Sequence, residues 1–290
     1  MQITWSSCEP FENEGILRRF APVFSLHRRE RDRPTDLDHY VRQCEAVGMG
    51  HEIILDKGVV NWAALGRLSR QKKIFLLPDE DYLDNDVKAT PVRVYGCARR
   101  LEDGRVCLAY IVFFAVQKPA RSVLWGSCRR GEWFCNLEIV HFIVDAKLTA
   151  IQSAFFGRQQ TARPEDHDPL QDPVVWEPGA TWVPTTRLHK TTDGRPVVYV
   201  SWSTHRLYWS PGRKWRKWCT HAPDVCADDG VRIDSRGYLV HLRHNDPRLK
   251  YRGFMAPFGV LGLGAPGRLD TPGIRHHEIE TVRRRRICGF

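Results

Sequence analysis

A chain of 290 residues with 42% hydrophobic, 27% charged and 11% aromatic side chains can build a sizeable core, which excludes disordered, fibrous and miniature disulfide-stapled classes. Lys and Arg outnumber Asp and Glu 44 to 34, and the formal charge of +10 favours an anionic partner such as nucleic acid or an acidic membrane surface. Nine scattered cysteines and an acidic first segment without a secretory run predict free thiols in an intracellular protein, cytoplasmic or membrane-peripheral. The longest apolar run, Val106 to Val116, falls short of the roughly 18 residues that a spanning helix needs, so no transmembrane segment is expected.

In chain order, Leu37, Tyr40, Val41, Cys44 and Val47 repeat at helical spacing behind Pro34 and Thr35 and stop at Gly48. That pattern predicts one amphipathic helix. Asn61 can cap a second, short helix carrying Trp62, Leu65 and Leu68, and Ile74 to Leu77 then runs extended until Pro78. Beyond this point the signals turn to strands. Val92 to Ala98 and Val106 to Val116 flank Leu101-Glu-Asp-Gly104 and read as a hairpin whose second strand is buried on both faces. Leu137 to Val144 and Leu148 to Phe156 form another pair around Asp145-Ala-Lys147. Pro196 to Trp202 follows the turn Asp193-Gly194, and Tyr238 to Leu242 is a further short strand.

The predicted fold is therefore mainly β, a β-sandwich with a few short helices near the N-terminus and in loops. Residues 1–270 are read as a single domain, with the polar, proline-rich stretch from Gln159 to Pro173 as an exposed loop. Residues 271–290, with His276, His277 and Arg283 to Arg286, are read as a basic tail.

Several segments together resemble the vacuolar protein sorting-associated protein 62 family. Phe20-Ala-Pro-Val-Phe-Ser-Leu-His-Arg-Arg-Glu30 followed by Pro34 resembles its opening signature, and Arg195-Pro-Val-Val-Tyr-Val with Ser203-Thr-His205 and Pro211-Gly212 a later one. Gly131 to Phe142 lies where the family carries Gly-Asp-Trp-Glu-His, and Tyr251-Arg-Gly-Phe with Phe258-Gly259 resembles its closing motif. The resemblance implies a β-sandwich related to necrosis-inducing toxin-like proteins, in which a similar Asp-Trp-Glu motif holds a divalent cation. An Asp and a Glu two apart on a strand share a face and can reach one hard cation. Here the motif is degenerate. If Glu138 is the family Glu, then Asn136, Leu137 and Ile139 stand at the Asp, Trp and His positions. A register through Gly131-Glu132-Trp133 instead puts Phe134 and Cys135 at the Glu and His positions. No cofactor is expected, and a divalent cation would lack part of its ligand set.

Glu138 shares a strand face with Val140, Phe142 and Val144, so its charge needs a partner or an exposed strand end. His205 is the natural partner, and with Asn136 these residues form the candidate pocket or metal remnant. His141 falls on the opposite face and is expected to pack or cap. Cys219, His221 and Cys226 offer thiolates and an imidazole for zinc, without the usual paired knuckles. Cys97 and Cys107 flank the first hairpin and are expected as inert thiols.

The densest unusual stretch is Arg206 to Trp218. Arg206, Arg213, Lys214, Arg216 and Lys217 interleave there with Tyr208, Trp209, Trp215 and Trp218, a composition suited to phosphates beside stacking surfaces or to anionic head groups. The function expected is a non-enzymatic binding or structural module acting through a protein assembly or an anionic surface. The alternatives are a nucleic-acid-binding protein using the basic aromatic loop, a metal-dependent hydrolase using Glu138 and His205, and a toxin-like membrane binder.

Overall fold

The computed structural model describes residues 8–48, 50–79, 81–82, 90–117, 134–157, 181–202, 204–214 and 224–255. It is mainly β. The first part of the chain holds β1 (Glu9–Pro10), α1 (Glu14–Arg19), β2 (Val23–Leu26), α2 (Leu37–Arg42), β3 (Cys44–Gly48), β4 (Ile53–Leu55), α3 (Trp62–Leu68) and β5 (Ile74–Pro78). The long strands follow as β6 (Val94–Arg100), β7 (Val106–Gln117), β8 (Phe134–Val144), β9 (Ile151–Phe156) and β10 (Thr181–Pro184). The rest comprises β11 (Val197–Val200), β12 (Leu207–Tyr208), β13 (Gly212–Lys214), β14 (Asp224–Cys226), β15 (Arg232–Asp234), α4 (Ser235–Tyr238) and β16 (Leu239–His241).

A seven-stranded sheet in the order β1-β6-β7-β8-β9-β10, with β16 also on β6, is the central layer. Alternate residues of β7 and β8 point to opposite faces, and each face meets its own core. Leu108, Tyr110, Val112 and Phe114 join Val140 and Phe142 against Phe24, Leu26, Val198 and Val200 of a four-stranded sheet ordered β12-β11-β2-β15. That pair of layers is the sandwich. On the other face Ile111, Phe113, Leu137 and Ile139 pack with Leu37, Tyr40, Leu65, Ile74 and Tyr251, under α2, α3 and the small sheet β4-β3-β5. The apolar run of β7 is thus covered on both sides.

Local chemistry accounts for the element ends. Asn61 Oδ1 accepts the Ala64 N–H at 3.0 Å and starts α3, and Asp36 Oδ1 accepts the Asp38 and His39 N–H groups to start α2. Gly104 closes the β6–β7 turn at a φ of 82°, where L side chains are rarely found. Asp145 caps the β8–β9 turn through Thr149 and Ala150.

The helix expected from Leu37 to Val47 is only half helical. It stops at Arg42, and Cys44 to Gly48 form β3, paired residue by residue with β5 from Cys44↔Pro78 to Gly48↔Ile74. Cys44 and Ala46 are both fully buried at period two, so the ladder satisfies the backbone while burying the same side chains. The closing Tyr251-Arg-Gly-Phe segment is structural: the Phe254 N–H donates to Ile74 O, and the Tyr251 hydroxyl donates to Phe254 O. Cys44, Cys97 and Cys107 are buried thiols outside any disulfide, and burial pushes the Cys97 thiol up to about 12. Among the described residues no helix is long and apolar enough to cross a membrane. The stretch from Gln159 to Pro173, Phe258-Gly259 and residues 271–290 lie outside the described residues.

Candidate functional site

The candidate site lies at one end of the sandwich, where β2 and β11 stop side by side. These two strands are parallel, with Val200 opposite Leu26, so the segments that follow each of them leave the sheet at the same end. The segment after β2 carries His27 to Asp32, and the one after β11 carries Ser201 to Arg206. They bring Glu30, Asp32 and His205 together, with one ligand atom of each within 4.8 Å of the others.

His205 is fully buried, its ring stacked on Phe114 at a centroid distance of 4.0 Å and an interplanar angle of 6°. Its Nε2 lies 3.3 Å from Glu30 Oε2, without the alignment of a hydrogen bond, and neither ring nitrogen is hydrogen-bonded among the described residues. Glu30 Oε1 accepts the Asp32 N–H at 2.9 Å. A carboxylate thus stands at the His205 ring, and it is that of Glu30.

Glu138 lies on the expected face, beside Val140 and Phe142, and it is buried rather than at an exposed strand end. The Asn136 amide Nδ2 donates to Glu138 Oε1 at 3.0 Å and to Thr204 O at 2.8 Å. Two acceptors fix that amide with its NH2 group inward. Asn136 thus turns a donor toward the carboxylate at the place where the Asp-Trp-Glu motif would turn an acceptor toward a cation. The Asn136 and Glu138 pair does not fit a cation held in that manner.

The backbone of His205 has a φ of 56°, a region that a non-glycine residue enters only when its surroundings hold it there. Those surroundings are a buried hydroxyl network. Ser201 Oγ and Thr204 Oγ1 are 2.6 Å apart, Thr204 Oγ1 donates to Asp224 Oδ1 at 2.8 Å, and the Tyr208 hydroxyl donates to Asp224 Oδ2 at 2.5 Å. The Arg206 N–H donates to Ser201 Oγ, and the His205 N–H donates to Ser201 O. Each Asp224 carboxylate oxygen thus accepts from a hydroxyl. Cys219 and His221 of the proposed zinc set lie outside the described residues, as does Ser203.

The basic aromatic stretch divides into a packed part and an exposed part. Tyr208 belongs to the core, and Trp209 is partly buried with its ring 5.9 Å from Phe156, so neither stands out as a stacking platform. Arg206 is half-buried, while Arg213 is exposed on β13 opposite Val225. The Val225 carbonyl accepts the Trp202 N–H, which places Trp202 beside this hairpin. Trp202 is 41% exposed, stacks on His27 at 6.0 Å, and carries the Arg29 guanidinium 5.7 Å above its ring. Lys214 closes β13, and Trp215, Arg216, Lys217 and Trp218 lie outside the described residues. His141 is buried on the opposite face of β8 and packs on Phe155.

Sequence reasoning missed three participants. Glu30 and Asp32 sit in an alternating run of Arg and acidic residues that looks like a solvated loop, and Trp202 looked like the end of an apolar strand. The usable signal was the carboxylate pair two residues apart just after a buried strand.

No family model and no curated protein matches the sequence, so the resemblance to the vacuolar-sorting family stands on the quoted segments alone. Among solved structures, the chain is similar to NLPPya in complex with mannosamine at 10% identity and a TM-score of 0.37, covering 86% of this chain and 84% of that one. It is likewise similar to a structure described as a toxin fold for microbial attack and plant defense, at 10% identity and a TM-score of 0.34, covering 86% and 87%. Necrosis and Ethylene inducing Protein 2, from the causal agent of cocoa's Witches Broom disease, follows at 8% and 0.37, covering 88% and 91%.

Proposed function

We propose that the chain is a non-enzymatic binding module that engages a phosphate-bearing anionic surface through Trp202, Arg29 and the basic β13 segment. The observation that carries this reading is the half-exposed Trp202 ring under Arg29, tied through Val225 to the strand of Arg213. A tryptophan residue that is 41% exposed at the rim of a buried core offers apolar surface for interfacial insertion, and the neighbouring cations supply attraction to phosphates. The net charge of +10 favours the same class of partner.

The test is sedimentation with neutral and acidic liposomes, alongside titration with a duplex oligonucleotide over a range of salt. The combined variant Arg213→Gln, Lys214→Gln, Arg216→Gln, Lys217→Gln is expected to weaken binding and flatten the salt dependence, by about one unit of log–log slope for each duplex phosphate that is no longer neutralised. Trp202→Ala is expected to weaken binding with little change in slope, since aromatic stacking releases few counterions. Binding by the charge variant equal to that of the parent, on both probes, would refute the reading. Dye release from the acidic liposomes would move it to the toxin-like alternative.

A further inference from the structure

The interior end of the sandwich holds a second chemistry, apart from the exposed basic surface. Two carboxylates and an imidazole meet there, and the imidazole is the decisive member. His205 is fully buried, held flat by Phe114, and neither of its nitrogens makes a hydrogen bond among the described residues. Burying a polar ring in this way is unfavourable unless something compensates it. Its Nε2 instead faces Glu30 Oε2 at 3.3 Å, with an Asp32 carboxylate oxygen close by.

We infer that Glu30, Asp32 and His205 hold one divalent transition-metal ion. Ligands bound at about 2.1 Å to one ion lie about 3 to 4.2 Å apart, depending on whether they are adjacent or opposite. The three ligand atoms here are all within 4.8 Å of one another, so small side-chain adjustments bring them onto one centre. One nitrogen and two oxygen donors suit Mn2+ or Zn2+, whereas Mg2+ and Ca2+ are served by oxygen alone. The ligands are also well supported. Glu30 and Asp32 follow β2, His205 follows the parallel β11, and the Ser201–Thr204–Asp224 network holds the turn that carries His205. None of the three belongs to the degenerate strand motif, where the Asn136 amide already bridges Glu138 to Thr204.

Mn2+ is the probe, because free thiols and isolated surface imidazoles hold it weakly, and its unbound fraction is read directly from the EPR signal in solution. Full-length protein stripped with EDTA is expected to take up about one Mn2+ per chain. Glu30→Gln and His205→Asn are each expected to weaken this by more than the roughly 10- to 100-fold that removal of a mere supporting partner costs. Asn tolerates the left-handed backbone at position 205, so that variant removes the imidazole without imposing a new strain. Asp229→Asn, which removes an exposed carboxylate paired with Arg28, is expected to leave Mn2+ uptake unchanged. Absence of saturable uptake by the parent, or uptake undiminished in both cluster variants, would overturn the inference. Pulsed EPR of Mn2+ on the parent gives a readout independent of variant folding. Modulation from a directly bound imidazole nitrogen supports the site, and a bound ion without it refutes it.

Discussion

Asp224 shows how much of the candidate site depends on a residue that faces no solvent. Its two oxygens accept from Thr204 and Tyr208, and through Thr204 they reach Ser201, which closes the turn around His205. Replacing Asp224 with Ala leaves buried hydroxyls without their acceptor, a cost of about 1–3 kcal/mol for each group left unsatisfied. Urea denaturation is expected to show destabilisation of that order, and Asp224→Asn, which keeps one carbonyl acceptor, a smaller effect. An Asp224→Ala protein as stable as the parent would show that the network contributes nothing to the fold. At this scale the sequence was only partly legible. The face of Glu138 followed from strand alternation, but its amide partner depends on Asn136 lying two residues away beside the Thr204 carbonyl of the turn between β11 and β12. The role of Asp224 was not legible, because spacing along the chain records residue types and not the hydroxyls that folding brings to them.

Among the elements, α2, α3 and the 3-10 turn at Pro247–Lys250 are joined by one half-buried ion pair. Arg248 donates to both oxygens of Asp38 at 2.9 Å, and the Trp62 indole N–H donates to Asp38 at 2.7 Å. Burial pushes the Asp38 carboxyl up, but the hydrogen bonds from Arg248 and Trp62, with the Arg248 charge, outweigh it and hold the group below the ordinary value. The folded value being depressed, this contribution is fully present above the unfolded pKa of about 3.9 and is lost as pH falls through the lower folded value. Asp38→Asn is therefore expected to be less stable than the parent at pH 7, with the gap narrowing as pH drops below about 4. Denaturant midpoints at pH 7, 5 and 3 provide the check, and a gap of constant size would show that the carboxylate charge is irrelevant. The cap of α3 was readable because Asn61 acts on a neighbour within three residues. The end of α2 was not, because a stripe at 37, 40, 41 and 44 is apolar at helical spacing while the β3–β5 ladder that overrides it depends on a partner thirty residues on.

For the molecule as a whole, β7 is the shared wall of two cores, and the parity of each residue decides which core it serves. Phe113 packs with α2 and the small sheet, where its ring meets Tyr40 at 4.7 Å, and Phe142 on the neighbouring β8 packs into the sandwich against Tyr110 at 5.7 Å. That β7 is covered on both faces was visible in its unbroken apolar run. Which layer covers each face was not, since β2 reaches β11 in parallel across most of the chain and no local signal encodes that pairing. The two cores share the same backbone ladder, so damage to either should be transmitted through the β7–β8 register that runs from Val106↔Val144 to Phe114↔Asn136. Phe113→Ala and Phe142→Ala each remove a fully buried ring and are expected to cost about 3–5 kcal/mol. If the layers unfold as one body, each variant shifts a single transition, seen alike by tryptophan fluorescence and far-ultraviolet circular dichroism. A variant in which one probe moves while the other keeps the parent midpoint would separate the two cores into independent units and end the reading of one cooperative domain.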